Sequence, residues 1–176
     1  MMYLRPAEPE EVFHVAKHMR DHDYKEISCL RWAEGRDDLA ADLTERYSNY
    51  PNCYVCGNGA DRIAIIVYVP IRSGVWSIWM FSTDNFQKVG GYLTKKIIRE
   101  IIPMLMDGGA HRIECQSIEG YDAIHKWLVT LGLQEESKLL GYGRDGEDFC
   151  QFTWVKKRDG DLRALTGHRN GERLCA

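Results

Sequence analysis

The sequence has no long hydrophobic run. None of its apolar stretches approaches the roughly 20 residues that a helix needs to cross a bilayer. The N-terminal segment MMYLRPAEPEE carries acidic residues early and lacks the apolar core of a secretory signal. These two absences exclude the membrane-spanning class and predict a cytoplasmic protein.

An excess of positive charge is also lacking. The 176 residues contain 23 Lys and Arg against 26 Asp and Glu, which gives a net charge of −3. Nucleic-acid-binding domains usually carry a strong basic field on one face. A nucleic-acid partner is therefore not expected, although a short basic cluster lies near the C-terminus.

Cysteines in a metal-binding arrangement are absent as well. Of the six cysteines, only Cys53 and Cys56 lie close together, and a zinc site usually needs a second such pair or a matching histidine pair. In a short strand these two side chains would point to opposite faces. His14, His18 and His22 recur every four residues, which favours a solvated helical stripe without an obvious third ligand. We predict buried thiols and no metal.

A change of hydrophobic period divides the first hundred residues. A short strand at MYLR is followed by a helix that begins near Pro9, and by one or two further short helices. From residue 53 the runs CYVCGNG, RIAIIVYVP and GVWSIWMFS are rich in β-formers and separated by turn residues. They predict an antiparallel meander of three strands.

A long amphipathic helix follows in GGYLTKKIIREIIPMLMDGG. Leu93, Ile97 and Ile101 repeat every four residues, and Pro103 is predicted to bend the helix. Next come a strand at HRIECQS, a helix at YDAIHKWLVTLGL, and strands between residues 137 and 142 and at EDFCQFTWV. A strand–helix–strand–helix unit after a meander implies a mixed sheet with a parallel central pair.

These patterns predict one α/β (α+β) domain over residues 1–155. The remaining stretch, residues 156–176, has many charges and few large apolar residues. It is predicted to be a charged C-terminal tail.

Two adjacent glycines, Gly90 and Gly91, stand where the long helix should begin. Glycine destabilises a helix, so the pair indicates either a tight turn or a close approach to the backbone. A pyrophosphate needs several backbone N–H groups at the positive end of a helix, with no side chain in the way. The glycines can meet either requirement.

The segment STDNFQKVGGY resembles a signature of the GNAT superfamily of acyl-CoA-dependent N-acetyltransferases. In that family the strand before the long helix ends in the form V-x-P-x-(Y/F)-(R/Q)-x-x-G-x-(G/A), and Phe86, Gln87 and Gly90 match it. Leu131-Gly132-Leu133 resembles the family's second signature. The resemblance implies a mostly antiparallel sheet with a splayed parallel strand pair, flanked by helices, and acetyl-CoA or another acyl-CoA as cofactor. The implied cofactor-binding residues are Ser82, Thr83, Gln87, Lys88, Val89, Gly90, Gly91 and Tyr92.

The resemblance also implies catalytic groups. An amine needs a base before it attacks the thioester, and Asp84, just beyond the strand, is the nearest candidate. Leu128 stands where many family members carry the tyrosine that protonates the departing thiolate, and leucine cannot donate a proton. His125 is the predicted substitute, with Tyr121, Tyr92 and Cys115 as alternatives in the same region.

A further set of polar residues follows the first helix. Arg20, Asp23 and Glu26 lie where the acceptor groove of the family begins. The resemblance implies that they orient the amine, which is a small molecule or a protein. A run of surface salt bridges is the other interpretation.

A closer resemblance covers roughly residues 3–155. The combination of AKHMRDHDYKEI, VWSIWMFSTDNF, HRIECQSIEGYDAIHKWLVTLGL and GRDGEDFCQFTW is similar to GNAT-like proteins of tailed bacteriophages, including internal virion proteins of podoviruses. Those relatives also tend to carry leucine at the position of Leu128. The resemblance implies a second possible function, a virion-associated or assembly protein that keeps the fold without catalysis. Its partners would be phage virion proteins, and it would act in the host cytoplasm or the particle.

Overall fold

Seven strands form a single mixed sheet in the computed structural model, which describes residues 1–156. The strands are β1 (Met2–Pro6), β2 (Cys53–Asn58), β3 (Asp61–Arg72), β4 (Val75–Ser82), β5 (Arg112–Ile118), β6 (Gln134–Leu139) and β7 (Phe149–Val155). Their order across the sheet is β1-β2-β3-β4-β5-β7-β6. The predicted charged tail of residues 156–176 lies outside the described residues except for Lys156.

Helices cover both faces of the sheet. They are α1 (Pro9–Lys17), α2 (Asp21–Ser28), α3 (Arg36–Tyr47), α4 (Gly90–Lys96), α5 (Ile102–Asp107) and α6 (Asp122–Thr130). A short 3₁₀ turn, Asp84–Lys88, connects β4 to α4. The predicted fold class and order of elements are therefore confirmed.

The centre of the sheet is its one parallel pairing among the described strands. β4 and β5 pair at only three positions, the last of which joins Ser77 to Glu114. β4 continues to Ser82 and β5 continues to Ile118 without further pairing. The two strands therefore diverge over their C-terminal halves, as the predicted splayed pair requires.

Two hydrophobic cores hold these layers together. The alternation of side chains along β4 places Trp76, Ile78 and Met80 against the core under α4, α5 and α6. Trp79 and Phe81 face the second core, which α1 and α3 cover. Because both of its faces pack against a hydrophobic core, β4 is held in a fixed position in the sheet.

The long helix of the second half contains an irregularity. α4 runs into a π turn, Ile97–Ile101, and then into α5. Pro103 is predicted to bend the helix, and the π turn lies immediately before it. Proline has no N–H to donate to the carbonyl four residues earlier, so the regular ladder is interrupted there.

The cysteines of the described residues are all buried and unpaired. Cys53 and Cys56 lie in the two different cores, as expected for opposite faces of a strand. Over residues 1–156, no cluster of three His, Cys, Asp or Glu side chains is placed to hold a metal ion. Within the same range, no helix has the length and apolar character that crossing a membrane requires.

Candidate active site

A cleft opens where β4 and β5 separate. It is narrow, with an accessible cavity volume of about 70 Å³. Most of its wall is apolar and comes from β4, β5 and the helices of the first core, with Ile78, Met80, Ile97, Ile124, Trp127 and Leu128 among the lining residues. The polar side chains that reach it include Arg20, Asp23 and Glu26 of the α2 region and Gln116 and Ser117 of β5. The cleft therefore joins an apolar slot to a charged end.

Free backbone donors stand at the start of α4. The first amide of the helix with a backbone acceptor is that of Leu93, which donates to the Val89 carbonyl over 2.8 Å. The amides of Gly90, Gly91 and Tyr92 have no acceptor among the described residues, and no side chain caps the helix. Unsatisfied N–H groups at the positive end of a helix are what an anionic oxygen requires.

The two glycines meet different needs. A Cβ atom added at Gly90 would lie 3.2 Å from the ring of Phe86, so close packing inside the protein explains this glycine. A Cβ atom added at Gly91 would meet nothing within 4 Å. Gly91 thus keeps open the space in front of the free amides. The packing against Phe86 is consistent with the tight-turn interpretation at Gly90, and Gly91 leaves room for the close approach to the backbone.

The preceding residues are engaged by the protein itself. Ser82 is fully buried, and its amide donates to the Asp23 carboxylate over 2.8 Å. Thr83 is buried, and its amide donates to the Ile63 carbonyl over 2.8 Å. The predicted role of Ser82 and Thr83 in cofactor binding stays a prediction, and in this structure both amides have partners.

The other predicted cofactor-binding residues surround the start of α4. Gln87 and Lys88 are exposed on the 3₁₀ turn, and the Lys88 ammonium lies 3.3 Å from the Asp61 carboxylate. Val89 is buried. Tyr92 is half-buried, with the Lys96 ammonium 5.7 Å from its ring centre. Gln87 and Lys88 are thus within the same turn as the free amides, whereas the Val89 side chain belongs to the core.

A backbone donor also faces the cleft from β4. The Thr83 amide points toward β3, since it donates to Ile63, and the Ser82 amide points the opposite way. Backbone direction alternates along a strand, so the Met80 amide points as the Ser82 amide does, toward β5. β5 has already separated at that level. The Met80 N–H therefore faces the cleft.

Two carboxylates of α2 reach the ends of the two diverging strands. Asp23 accepts the Ser82 amide of β4, and its carboxylate also binds the Arg20 guanidinium through contacts of 2.9 to 3.1 Å. Glu26, one helical turn later, accepts the Ile118 amide of β5 over 2.9 Å and the Ser117 hydroxyl over 2.8 Å. α2 therefore bridges the splayed strands at the charged end of the cleft.

Glu26 is the most perturbed acid of this region. Burial raises the pKa of its carboxyl group to about 7, and the nearby Asp23 charge adds to the rise. The hydrogen bonds from Ile118 and Ser117 and the positive charge of Arg20 oppose it. A carboxyl group with a pKa near neutrality, inside a cleft, has the property expected of a general base. The sequence analysis placed Glu26 in the acceptor groove but gave it no catalytic role.

The predicted catalytic residues lie elsewhere. Asp84 is exposed on the 3₁₀ turn and is not among the residues that line the cleft. His125 is also outside that lining: its Nε2 atom lies 3.2 Å from the Ile118 carbonyl oxygen, and its ring packs against Phe152. Their catalytic roles remain predictions. The structure does not bring either one to the charged end of the cleft.

The alternatives to His125 also differ in position. Cys115 lines the cleft, and burial raises the pKa of its thiol to about 12. Tyr121 donates its hydroxyl to the His22 carbonyl over 3.1 Å. Leu128, at the position of the family tyrosine, is buried in the cleft wall.

Comparisons with known proteins agree with the fold described above. No family model matches the sequence, and no curated protein does. Solved structures do match it. A GNAT-family acetyltransferase from Bacillus anthracis has a TM-score of 0.66 at 12% identity, over 88% of this chain and 94% of that one. The chain has the GNAT fold.

Two further similar structures are those of enzymes whose names state different amine acceptors. The ribosomal-protein-S18-alanine N-acetyltransferase of Escherichia coli has a TM-score of 0.62 at 14% identity, over 93% of this chain and 100% of that one. A spermidine N-acetyltransferase chimera from Vibrio cholerae and hSSAT has a TM-score of 0.61 at 14% identity, over 88% of this chain and 95% of that one. The GNAT fold therefore occurs in enzymes whose acceptors are a protein and a polyamine, so the fold alone does not identify the acceptor.

Proposed function

We propose that this GNAT-fold protein is an N-acyltransferase that moves the acetyl group of acetyl-CoA to an amine. One observation carries the proposal. An apolar cleft between two diverging strands has unpaired backbone donors beside it at the start of α4, and an acidic residue of raised pKa at its charged end. The similar solved structures, which include N-acetyltransferases, support the same function.

The residues present suit acetyl-CoA. The amides of Gly90, Gly91 and Tyr92 would bind the pyrophosphate, since they are free and Gly91 leaves the approach open. The apolar walls of the cleft would surround the pantetheine arm. The Met80 amide would donate to the thioester oxygen and stabilise the negative charge that develops there. The bound thioester supplies an activated acetyl group.

Glu26 is the proposed proton acceptor for the incoming amine. Its carboxylate lies at the end of the cleft, and its pKa of about 7 suits proton transfer at neutral pH. The same acid can return the proton to the departing thiolate, because an ordinary thiol has a pKa of about 8.5 and binds a proton more tightly than Glu26 does. This order of pKa values removes the need for a tyrosine at the position of Leu128.

Titration calorimetry with acetyl-CoA tests the cofactor site. We expect binding by the native protein and a loss of affinity of roughly 10- to 100-fold in the Gly91→Leu variant, equal to about 1.4 to 3 kcal/mol. The leucine side chain would fill the space in front of the free amides. Gly91 is exposed and an added Cβ atom would meet no atom of the described residues within 4 Å, so the fold should be unaffected.

Gly35→Leu is the matched control. Gly35 precedes α3, has an extended backbone, and also has open space around an added Cβ atom. This variant should bind acetyl-CoA as the native protein does. Absence of binding by the native protein at millimolar acetyl-CoA would defeat the proposed function. Equal binding by all three proteins would show that the cofactor does not bind at the start of α4.

The second proposed function is that of a bacteriophage virion or assembly protein without catalysis. Leu128 favours it, since this position in the cleft wall carries no proton donor. Release of CoA from acetyl-CoA in the presence of an amine would remove this alternative. Stoichiometric presence in purified phage particles, without turnover, would establish it. The proposed location is the cytoplasm for the first function, and the host cytoplasm or the phage particle for the second.

A further inference from the structure

Two open cavities meet the cleft on the sheet face opposite α4 and α6. One is bordered by Tyr47, Tyr50, Glu114, Gln116 and Tyr142. The other is bordered by Leu30, Arg31, Trp32, Tyr142 and Arg144. Trp79 lines both cavities and the cleft, Gln116 is shared by the first cavity and the cleft, and Leu30 by the second cavity and the cleft. Both cavities therefore adjoin the cleft, with Trp79 at the boundary.

The second cavity has the composition of an anion site, and we call it the arginine cavity. Its charged lining residues in the described part of the chain are Arg31 and Arg144, and no carboxylate lines it. The Arg31 guanidinium lies 5.5 Å from the ring centre of Trp79, and Arg144 donates to the Arg31 carbonyl over 3.1 Å. The Arg144 guanidinium thus contacts the backbone of Arg31, and both arginines line the same cavity.

The carboxylates that accompany these arginines are not among the residues that line the arginine cavity. Asp42 lies 2.8 Å from Arg46 and only 3.9 Å from the Nε atom of Arg31, so two arginines share one acid. Arg31 makes its remaining close contact with the Tyr47 hydroxyl, over 2.9 Å. Arg144 has the exposed Asp145 as its partner at 3.3 Å. Glu147, whose carboxylate contacts the Cys29 thiol and lies near Arg144, is the third acid for these three arginines, but none of the three acids lines the arginine cavity.

The other walls of the arginine cavity are aromatic. Trp79 and Tyr142 border it, and the Trp32 side chain is 92% exposed at its edge. Exposed aromatic rings bury the apolar part of a ligand, and guanidinium groups bind carboxylate oxygens with charge-assisted hydrogen bonds. A polyamine would place further positive charge against Arg31 and Arg144, which is unfavourable.

We propose that the acceptor is a small amine that carries a carboxylate at its other end. The amino group reaches Glu26 past Trp79, the carbon chain lies on the aromatic rings, and the carboxylate binds Arg31 and Arg144. This inference rests on the proposed acetyl transfer. It adds the class of acceptor, which neither the fold nor the similar structures specify.

Matched amines test the proposal. Release of CoA from acetyl-CoA is measured with ω-amino carboxylates of increasing chain length, with alkylamines of the same length, and with the corresponding diamines. We expect one length of amino carboxylate to exceed its alkylamine in kcat/KM by about 10- to 100-fold, as charge-assisted hydrogen bonds allow. The best length measures the distance between the reacting end of the cleft and the two arginines. The diamines should be the poorest acceptors.

Variants of the two arginines test whether they cause the preference for the amino carboxylate. Arg31→Gln and, separately, Arg144→Gln should remove most of the advantage of the amino carboxylate and leave kcat/KM for the alkylamine within a factor of about two. Two variants are used so that a folding defect in one does not decide the result. Arg99→Gln is the control, since Arg99 is exposed on the π turn of the other layer.

The outcomes separate this inference from the proposed function. Acetyl-CoA binding measured by calorimetry tests the proposed function alone, and its absence overturns both. If acetyl-CoA binds but no amino carboxylate is acetylated, or if alkylamines and diamines serve equally well, the acceptor class is wrong and the cofactor site stands. An unchanged preference in both arginine variants would also overturn the inference.

Discussion

Replacing Glu26 by glutamine is expected to lower kcat by about 10²- to 10⁴-fold, the range that one positioned proton acceptor contributes. Glutamine keeps the size of the side chain and an oxygen that can accept from Ile118 and Ser117. It cannot take a proton from the amine. Initial rates of CoA release at saturating acetyl-CoA would measure the loss, and calorimetry should show that acetyl-CoA still binds.

The pH dependence of the native protein identifies the same group. Burial raises the pKa of Glu26 to about 7, so the carboxylate form that accepts a proton is populated only above that pH. We expect kcat/KM to rise with pH through an inflection near 7, beyond the rise caused by the amine itself. The inflection should vanish from the Glu26→Gln profile.

The Glu26→Gln substitution should raise the free energy of unfolding although it lowers the activity. A carboxyl group whose pKa is raised by folding resists ionisation in the folded state. The free energy of unfolding therefore falls as the pH rises from about 4.5 to about 7, and the loss remains at higher pH. Glu26→Gln removes that cost. The variant should withstand more urea than the native protein at pH 8, and the difference should be smaller at pH 5 because less of the cost has accumulated there. It should vanish below about pH 4, where Glu26 is protonated in both states. A gain in stability with a loss of activity is typical of a residue kept for function.

Asp84→Asn is the comparison variant. Asp84 is the base predicted from the sequence, and it is exposed and outside the cleft lining. We expect this variant to keep the native rate within a factor of about two, as surface substitutions usually do. A large loss in Asp84→Asn, with a native rate in Glu26→Gln, would contradict the assignment of Glu26 and restore the sequence-based one.

The fold was accessible from the sequence because its signals are local. The apolar alternation in β4 and the four-residue repeat in the long helix each need only neighbouring residues to be recognised. Gly90 and Gly91 marked the correct turn for the same reason. The resemblance to GNAT signatures then supplied the topology, which short-range patterns do not contain.

The proton acceptor was not accessible in this way. Glu26 becomes unusual only when its carboxylate meets Ile118, a contact that spans 92 positions along the chain. Its raised pKa comes from burial between α2 and β5, and no local pattern encodes that burial. Asp84, in contrast, was chosen for its nearness in sequence to β4. The signal that could have directed attention to Glu26 is its spacing from Asp23, three residues apart on one helical face.

Asp23→Ala is expected to destabilise the protein by about 3–5 kcal/mol, the usual cost of leaving a buried charge without its partner. The Asp23 side chain is 9% exposed and that of Arg20 is 13% exposed. The substitution would leave Arg20 buried without a counter-charge and the Ser82 amide without an acceptor. Urea denaturation at pH 7 would measure the loss. Asp21→Ala, which removes a fully exposed partner of Arg36, should cost at most about 1 kcal/mol.

The same variant should affect catalysis through Glu26. Asp23 joins α2 to β4 through the Ser82 amide, and Glu26 joins α2 to β5, so loss of the Asp23 bond loosens the helix beside Glu26. Entry of water beside Glu26 would return its pKa toward the ordinary value of about 4.5, so the inflection in kcat/KM should move to lower pH. The double variant Arg20→Leu with Asp23→Leu should recover much of the lost stability, because neither member of the ion pair is left charged without its partner. It should not recover the inflection near pH 7. If the double variant restored both, Asp23 would have no part in holding Glu26 in place.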